Sequence, residues 1–398
     1  MTSSRNDASS RPYDVTTELV TSGRDTLAQR GFVNPPVVRG STVLYPTAED
    51  LHQNRGEFHY GRHGTPTTQA LQQALMALEG PNCAGVGLAP SGVAAITTAL
   101  LAVVKTGDHL LVIDSAYRPT RAFCEGMLKR LGVETTYFDP LIGAGIAGLF
   151  KPNTRAVLVE APGSQSFEMP DIPAIAAVAH ERGALVLDDN TWATPFYHRS
   201  LDQDVDISIQ AATKYIGGHS DIMFGTISAN AKAWPLVTES IRLLGVCCGP
   251  DDVFLALRGL RTLAVRLNHH EKSGLEMARW FASRPEVLRV LHPGLESDPG
   301  HAIWKRDFTG ASGLFSIVLR PAPAKAVDAF LDSLKLFGMG YSWGGFESLV
   351  VPFDCTSYRT ATKWIPGGPT LRFHIGLEST EDLKADLDAA FAVMKSAQ

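Results

Sequence analysis

Between residues 65 and 260, short apolar runs of β-type residues alternate with segments of helical periodicity. Runs at 109–114, 155–160 and 184–189 have strand length, and helical patterns at 119–131 and 173–182 separate them. Gly132 and Gly183 stand where C-terminal helix caps are expected. Parallel neighbours in a sheet require such crossover helices. The order therefore predicts a doubly wound, mostly parallel sheet with helices on both faces.

The chain is too long for one ordinary domain. It has 398 residues, of which 44% are hydrophobic, so we expect two domains and an arm. Residues 1–64 contain several prolines and few periodic patterns, and we interpret them as an arm that lies on another surface. Residues 65–260 form the sheet domain. A long helical pattern at 251–284 leads into a smaller C-terminal α/β domain, residues 261–398, which ends in a predicted helix at 381–394.

Charge and cysteine usage narrow the classes of partner. The formal net charge is -5 and the basic residues are scattered, which favours small metabolites over nucleic acid or anionic lipid. The five cysteines are odd in number and lack C-x-x-C spacing, so we expect neither a disulfide framework nor a zinc ribbon. The first residues lack the pattern of a secretory signal, and we expect a reducing cytoplasm.

One uncharged stretch, residues 82–104, is long enough to cross a bilayer. It contains Pro90, Ser91 and Gly92, which interrupt an apolar helix. We therefore predict a strand, a tight turn and a buried helix instead of a membrane span.

Lys214 lies among small residues and glycines directly after a β-type stretch, where a charged lysine is unusual. Taken alone, such a residue is most often a solvated loop lysine. An apolar strand ends upstream at Asp189, and a carboxylate there can keep the ring nitrogen of pyridoxal phosphate (PLP) protonated. By itself Asp189 could equally be a helix N-cap or any strand-end carboxylate. Together, the two residues predict that Lys214 forms a Schiff base with PLP.

A turn before a predicted helix at 94–104 offers a cradle for the phosphate. The N–H groups of Gly92 and Val93 and the helix dipole would face an anion there, or Ser91 would simply cap the helix. Thr213 adds a hydroxyl beside the lysine. The segment nearly matches the G-x-S-x-G turn of hydrolases, but Ala89 replaces the first glycine, which makes Ser91 a poor nucleophile.

Tyr60 and Arg62 stand at the end of the arm, and a guanidinium fork matches the oxygens of a phosphate. His59 and His63 have the i, i+4 spacing of two metal ligands on a helix, but the glycine at position 61 argues against that helix. We therefore predict Tyr60 and Arg62 as phosphate donors and expect no metal.

A second nucleotide signature lies at residues 143–148, which read G-A-G-I-A-G and match the dinucleotide pattern of oxidoreductases. That pattern requires a helix on which the pyrophosphate can sit. The few residues between Gly148 and the next predicted strand include Pro152, so the helix has no room. We interpret the run as a glycine-rich connection with a capped turn.

Two other residues suit a planar or anionic ligand. Tyr117 follows the strand end at 114, where its ring could stack on a planar cofactor or pack on the sheet edge. Arg372 lies on an alternating strand over 370–376, where it could bind a substrate carboxylate, although strand arginines more often face solvent.

Five short motifs occur in one order: Tyr-Gly-Arg at 60–62, Ser-Gly at 91–92, Glu-Ala-Pro-Gly-Ser at 160–164, Asp-Asn-Thr at 189–191 and Ala-Thr-Lys-Tyr at 212–215. By these motifs the chain resembles the Cys/Met-metabolism family of PLP enzymes, the γ-family of fold type I, from residue 30 to the C-terminus. The resemblance implies a fold type I PLP-dependent transferase-like architecture. It also implies a homo-oligomer, a tetramer built from dimers that share active sites.

The same resemblance implies a role for each candidate. Lys214 is the Schiff-base lysine, Asp189 the partner of the pyridine nitrogen and Tyr117 the stacking ring. The phosphate ligands are Gly92, Val93 and Thr213, with Tyr60 and Arg62 from a neighbouring subunit. Two positions depart from the family pattern, since Ala211 stands where many members have serine and Val93 is commonly Met or Ala. Each departure weakens one phosphate contact.

Residues 340–348 read G-Y-S-W-G-G-F-E-S and narrow the reaction. They resemble the loop of members that eliminate at Cβ, as does Tyr-Arg-Pro-Thr at 117–120. The resemblance implies β-elimination of L-cystathionine to homocysteine, pyruvate and ammonia, with Lys214 and Tyr117 as catalytic residues. The substrate would contact Tyr60, Tyr117, Ser342, Trp343 and Arg372, and its α-carboxylate would bind Ser342 and Arg372.

Other interpretations stay open at this stage. The chain could be another family member that acts on sulfur amino acids, such as a cystathionine γ-lyase or γ-synthase, a methionine γ-lyase or a cysteine desulfhydrase. It could also be a nucleotide-binding oxidoreductase, or a non-catalytic binding protein on the same scaffold.

Overall fold

The computed structural model describes residues 13–397. Its larger sheet has seven strands: β1 (Gly85–Ala89), β2 (His109–Ile113), β3 (Glu134–Phe138), β4 (Thr154–Glu160), β5 (Leu185–Asp189), β6 (Ile207–Gln210) and β7 (Gly225–Ala229). Their order across the sheet is β1-β7-β6-β5-β4-β2-β3. Strand β7 runs antiparallel to β1 and β6, whereas the other pairs are parallel. The predicted mostly parallel sheet, with its three predicted strands, is confirmed.

A five-stranded sheet follows, made of β8 (Val287–Leu291), β9 (Leu314–Leu319), β10 (Gly338–Met339), β11 (Leu349–Pro352) and β12 (Thr370–His374). Its order is β10-β11-β12-β9-β8, and β10 and β11 form its parallel pair. The predicted strand that carries Arg372 is the central β12. This sheet packs on a hydrophobic cluster of its own, which includes Phe281, Phe315 and Phe391.

The helices surround both sheets. They are α1 (Val15–Thr21), α2 (Ala48–His52), α3 (Pro66–Glu79), α4 (Gly92–Val103), α5 (Arg118–Phe123), α6 (Ile172–Glu181), α7 (Thr194–Tyr197), α8 (Trp234–Leu244), α9 (Pro250–Leu260), α10 (Leu263–Ala282), α11 (His301–Asp307), α12 (Ala324–Ser333) and α13 (Thr380–Ser396). A π-helical turn, Cys124–Leu128, continues α5. Strands β2 and β5 are buried at every position, as expected of strands with helices on both faces.

The predicted single helix at 251–284 is wrong, because the structure breaks it into α9 and α10 at residues 261 and 262. Gly259 packs so closely on the segment after Lys214 that a Cβ would lie 2.3 Å from the carbonyl oxygens of Ile216 and Gly217. Arg261 turns away, and its Nη1 donates to the carbonyl oxygens of Leu19 and Ser22, each at 2.7 Å. Packing therefore overrides the helical periodicity at this point.

The uncharged stretch at 82–104 forms β1, a turn and α4, as predicted. Within residues 13–397, no helix combines the length and the apolar character that crossing a membrane requires. The glycine run at 143–148 lies in a short 3-10 helix, Gly143–Leu149, that connects β3 to β4. It therefore provides no α-helix N-terminus for a pyrophosphate, and the interpretation as a connection is confirmed.

Candidate active site

The segment that carries Lys214 leaves the carboxyl end of β6, the edge of a parallel sheet where ligands commonly bind. Arg266 of α10 joins this segment to α9: Nη1 donates to the Tyr215 carbonyl oxygen at 2.6 Å and Nη2 to that of Gly259 at 2.8 Å. Gly218 has a φ of +70°, and a Cβ there would lie 2.0 Å from the Arg266 guanidinium. Glycine is therefore needed for the arginine to reach the turn.

The side chain of Lys214 points at the loop of residues 342–345, called here the tryptophan loop. Lys214 Nζ donates to Ser342 Oγ at 2.6 Å and lies 5.4 Å from the centre of the Trp343 ring. Burial, aided by the charge of Arg372 and opposed by that of Asp189, lowers the pKa of Lys214 from 10.5 to about 8. A larger neutral fraction makes the amine a better nucleophile and base near neutral pH.

Asp189 ends β5 and is oriented by Thr191. The hydroxyl of Thr191 accepts from the Ala211 N–H at 2.9 Å and donates to Asp189 Oδ1 at 2.5 Å, and the Thr191 N–H donates to the same oxygen at 3.2 Å. Among the described residues, no side chain or backbone group donates to Asp189 Oδ2. Burial raises the pKa of Asp189 and the Thr191 bonds lower it. One carboxylate oxygen is thus left for an external cation.

Tyr117 is tied to the neighbouring strand end. Its backbone N–H donates to Glu160 Oε2 at 2.6 Å. Burial, followed by the charge of Asp189, raises the pKa of Glu160 well above its usual range. Burial also raises the pKa of the Tyr117 phenol, helped by Asp189 and Glu160. The half-exposed ring of Tyr117 therefore carries a neutral hydroxyl beside Asp189.

Arg372 lies on β12 and turns into the site instead of facing solvent. Its Nη2 donates to the Ser342 carbonyl oxygen at 3.3 Å. Burial lowers the pKa of Arg372 to about 10, which leaves the guanidinium charged. The strand thus supplies a fixed cation next to Lys214 and the tryptophan loop, as required for binding a carboxylate.

The N-terminus of α4 packs against the segment that leads to Lys214. A Cβ on Gly92 would lie 2.5 Å from the Cβ of Ala211, so only glycine allows this approach. Ser91 caps the helix by accepting from the Ala94 N–H at 3.0 Å. The first-turn amides of Gly92 and Val93 have no intrahelical acceptor and remain available to an anion. Ser91 thus caps the same turn that offers the cradle.

Thr213 is engaged elsewhere. Its hydroxyl donates to the Phe224 carbonyl oxygen at 3.1 Å and accepts from the Phe224 N–H at 2.9 Å. These two bonds join the lysine segment to the residues that precede β7. The hydroxyl is therefore a clamp between two chain segments in this structure, and its predicted contact with phosphate stays a prediction.

Tyr60 and Arg62 belong to the arm, and no hydrogen bond within the described chain joins either to Lys214 or Asp189. Arg62 Nη1 donates to the Arg242 carbonyl oxygen at 3.1 Å, and Tyr60 is 44% exposed. The segment Gly61–His63 is a 3-10 turn, so His59 and His63 do not share an α-helix face. The structure therefore brings the other candidates together but not these two.

Sequence reasoning missed several residues that shape the site. Arg266 lies on a helix with no motif around it. His374 lies on the strand predicted for Arg372, and Glu160 belongs to the motif at 160–164, but the sequence predicts no role in the site for either. Thr191 carried a usable signal, because a hydroxyl two residues after a strand-end carboxylate often bonds back to it.

The comparison with protein families agrees with this geometry. The family described as Cys/Met metabolism PLP-dependent enzyme matches residues 16–392. The chain belongs to this family.

Individual relatives extend over nearly the whole chain. A Rhizobium johnstonii protein is 54% identical over 382 residues, which cover 95% of this chain and 96% of that protein. The cystathionine beta-lyase of Salmonella typhimurium is 46% identical over 387 residues, 94% of this chain and 98% of that enzyme. The crystal structure of cystathionine gamma synthase from Xanthomonas oryzae pv. oryzae in complex with cystathionine has a TM-score of 0.89 and 31% identity, and covers 98% of this chain and 100% of that one.

The family is PLP-dependent, and the residues present fit that cofactor. Lys214 is a partly buried amine with a lowered pKa, the group that an aldehyde requires. Asp189 Oδ2 is a carboxylate oxygen without a partner in the described chain, as a pyridinium nitrogen requires. Gly92 keeps the α4 amides open to a phosphate. These three groups offer partners for the aldehyde, the ring nitrogen and the phosphate of the cofactor.

Proposed function

We propose that this PLP-dependent protein is a cystathionine β-lyase. The reaction would be hydrolytic β-elimination, in which L-cystathionine and water give L-homocysteine, pyruvate and ammonia. The observation that carries the proposal is the contact of Lys214 Nζ with Ser342 Oγ at 2.6 Å beneath the Trp343 ring. The charges of Arg372 and Asp189 both act on this amine, whose pKa is lowered to about 8.

PLP, when bound, withdraws electrons from the Cα of an amino acid that is joined to it through the amino group. Asp189 would keep the ring nitrogen protonated by a charge-assisted hydrogen bond from Oδ2. The α4 amides of Gly92 and Val93 would hold the phosphate, with Tyr117 against the ring. Each of these assignments rests on the position of the residue and on family resemblance.

Lys214 would act as the base that removes the Cα proton. Its Nζ lies at the tryptophan loop, and its lowered pKa matches the task better than that of an ordinary lysine. Ser342 Oγ would hold Nζ in place until the substrate arrives. The proton carried on Nζ could then be delivered to the departing homocysteine sulfur as the Cβ–S bond breaks.

Arg372 would bind the substrate α-carboxylate, and Ser342 would assist it. The guanidinium is charged, largely buried and already bonded to the loop that contacts Lys214. The α-carboxylate is bonded to Cα, so its binding to Arg372 would also orient the Cα–H bond toward Lys214. Trp343 would exclude water from the same space.

In the proposed assembly, two chains form a dimer in which each chain contributes residues to the active site of the other. Two such dimers form a tetramer. Tyr60 and Arg62 have no partner at their own lysine in the described chain, and Tyr60 is exposed. An arm that serves a neighbouring subunit accounts for that position. We also propose a cytoplasmic location, which suits a chain whose five cysteines are free thiols.

Product identity tests the proposed reaction. Purified protein with PLP is incubated with L-cystathionine, and the keto acid and thiol are identified. Pyruvate with homocysteine supports β-elimination, whereas 2-oxobutyrate with cysteine would mean γ-elimination. Recovery of a D-amino acid without keto acid would mean that the site only exchanges the Cα proton.

The lysine variant tests whether the same site carries the reaction. We expect Lys214→Ala to lower turnover by about 10²- to 10⁴-fold, since it removes the base. A control variant, Lys325→Ala on α12, should leave turnover unchanged. Full turnover in Lys214→Ala would contradict the assignment of the base.

A further inference from the structure

We propose that His374 is a positioning residue of the active site, which uses one ring nitrogen to set the tryptophan loop against Lys214. The proposal rests on the proposed function to the extent that Lys214 is taken as the reactive amine. His374 itself would touch neither substrate nor cofactor.

His374 ends β12, two residues after Arg372, and is 1% exposed. Its Nε2 lies 3.1 Å from the Gly344 N–H nitrogen and 3.1 Å from the Gly345 carbonyl oxygen. One strand thus holds the tryptophan loop at two points, because Arg372 also bonds the Ser342 carbonyl oxygen. Of the two side chains, His374 is the fully buried one.

The backbone of the tryptophan loop packs directly against the backbone of Lys214. Gly344 has a φ of +84°, and a Cβ there would lie 2.9 Å from the Lys214 carbonyl carbon, so the two backbones are in contact. Ser342 has a φ of +94°, which is costly for a residue other than glycine. A conformation of this kind persists only where its surroundings hold it, and the bond from Gly344 to His374 is one such support.

The chemistry of the ring fits this task. With its proton on Nδ1 the neutral ring accepts from the Gly344 N–H, and with its proton on Nε2 it donates to the Gly345 carbonyl oxygen, so either neutral tautomer bonds the loop. Burial, followed by the charge of neighbouring His270, lowers the pKa of His374 well below its usual value. Among the described residues Nδ1 has no hydrogen-bond partner. Within the described residues, the hydrogen bonds of this buried ring therefore all go to the tryptophan loop.

Two amide variants test the contact with matched chemistry. Glutamine places its amide where Nε2 lies, and its oxygen can accept from Gly344 while its nitrogen donates to Gly345. Asparagine reaches only to the position of Nδ1. We therefore expect His374→Gln to preserve the contact and His374→Asn to lose it, although both replace a buried ring by an amide.

The first measurement uses the PLP-free protein. Hydrogen exchange of the peptide 340–348 should be about tenfold faster in His374→Asn than in wild type, since one buried hydrogen bond is lost, and near wild type in His374→Gln. The control is His270→Gln, which disturbs the adjacent ring, 5.2 Å away between centroids, without reaching the loop. Its peptide 340–348 should exchange as in wild type.

The second measurement uses the PLP-loaded protein and L-cystathionine. His374→Asn should lower kcat/KM by about 10- to 100-fold, because Ser342 and Trp343 are misplaced, and His374→Gln should restore most of it. Equal exchange and kinetics in His374→Asn and His374→Gln would overturn the proposal. So would an effect of His270→Gln as large as that of His374→Asn, because the role would then be packing alone.

The two proposals fail in different ways. If wild type released no keto acid from L-cystathionine, the proposed function would fall, while the exchange result would still report the contact between His374 and the loop. If wild type was active and exchange of the loop did not respond to His374→Asn, only the positioning role would fall.

Discussion

Thr191 connects Asp189 to the lysine segment through a single hydroxyl. Since this hydroxyl accepts from Ala211, its proton is committed to Asp189. Thr191→Val removes the donor, and the pKa of Asp189 should rise because the bonds from Thr191 hold it down. We expect PLP affinity to fall by about tenfold, the value of one charge-assisted hydrogen bond.

The measurement is equilibrium binding of PLP to the PLP-free protein. Thr191→Ser keeps the hydroxyl and serves as the matched control, so its affinity should stay close to wild type. If Thr191→Val bound PLP as tightly as Thr191→Ser, the orienting role of the hydroxyl would be wrong.

The lowered pKa of Lys214 makes a prediction about pH. Only the neutral amine attacks an aldehyde, so the rate of PLP capture should rise with pH and level off above about 8. Arg372 contributes to this lowering, after burial. In Arg372→Gln the midpoint should therefore move to higher pH.

Stopped-flow absorbance after mixing PLP with PLP-free protein gives this profile. Arg289→Gln, an exposed position on β8, is the control and should keep the wild-type midpoint. A midpoint that stayed in place or moved down in Arg372→Gln would show that the Arg372 charge does not act on Lys214.

At the scale of elements, a buried ion pair fastens the segment between β11 and β12 to the large sheet. Asp114, just after β2, accepts from Arg121 of α5 at 2.8 Å. It also accepts from the backbone N–H groups of Thr360, Ala361 and Thr362, at 2.9–3.1 Å. These bonds lower the pKa of Asp114 against the effect of burial. Helix α5, which begins at the residue after Tyr117, is thereby joined to the small sheet.

Asp114→Asn should destabilise the protein by about 3–5 kcal/mol, because it leaves the Arg121 charge without its buried partner. Glu125→Gln removes the other, exposed partner of the same arginine and should cost under about 1 kcal/mol. Denaturant unfolding measures both. Equal losses in the two variants would mean that the pair at Asp114 does not fasten the segment.

At the scale of the whole molecule, the proposed role of the arm predicts that a complete site needs two chains. If Arg62 acts on a neighbouring subunit, a mixed dimer of Lys214→Ala and Arg62→Ala chains contains one intact site and one doubly altered site. Random pairing makes half of the dimers mixed, so co-expression should restore about a quarter of wild-type turnover per chain.

Each variant expressed alone should be nearly inactive. A mixture that stays at the level of the single variants would show that Arg62 serves its own chain. The control is a mixture of Lys214→Ala with Asp189→Ala, two residues of one site, which should restore nothing unless they too come from different chains.

Much of the large sheet followed from the sequence because its signals are local. Strands buried on both faces read as continuous apolar runs, so β2, β4 and β5 were visible in the printed residues. The broken helix at 261 was not visible, because helical periodicity continues across it. The close contact of Gly259 with residues 216 and 217, which are distant in sequence, ends the helix there.

The sequence by itself determined the α/β class, and it was enough to predict Lys214, Asp189 and Gly92 as parts of one site, because strand length, strand-end carboxylates and missing side chains are properties of short segments. Only the tertiary structure decided that Lys214 rests on Ser342 and that Arg372 faces inward. It alone revealed Arg266 and His374 as supports of the two segments that meet at the lysine. Such contacts join residues far apart in the chain, and no local pattern encodes which of them will meet.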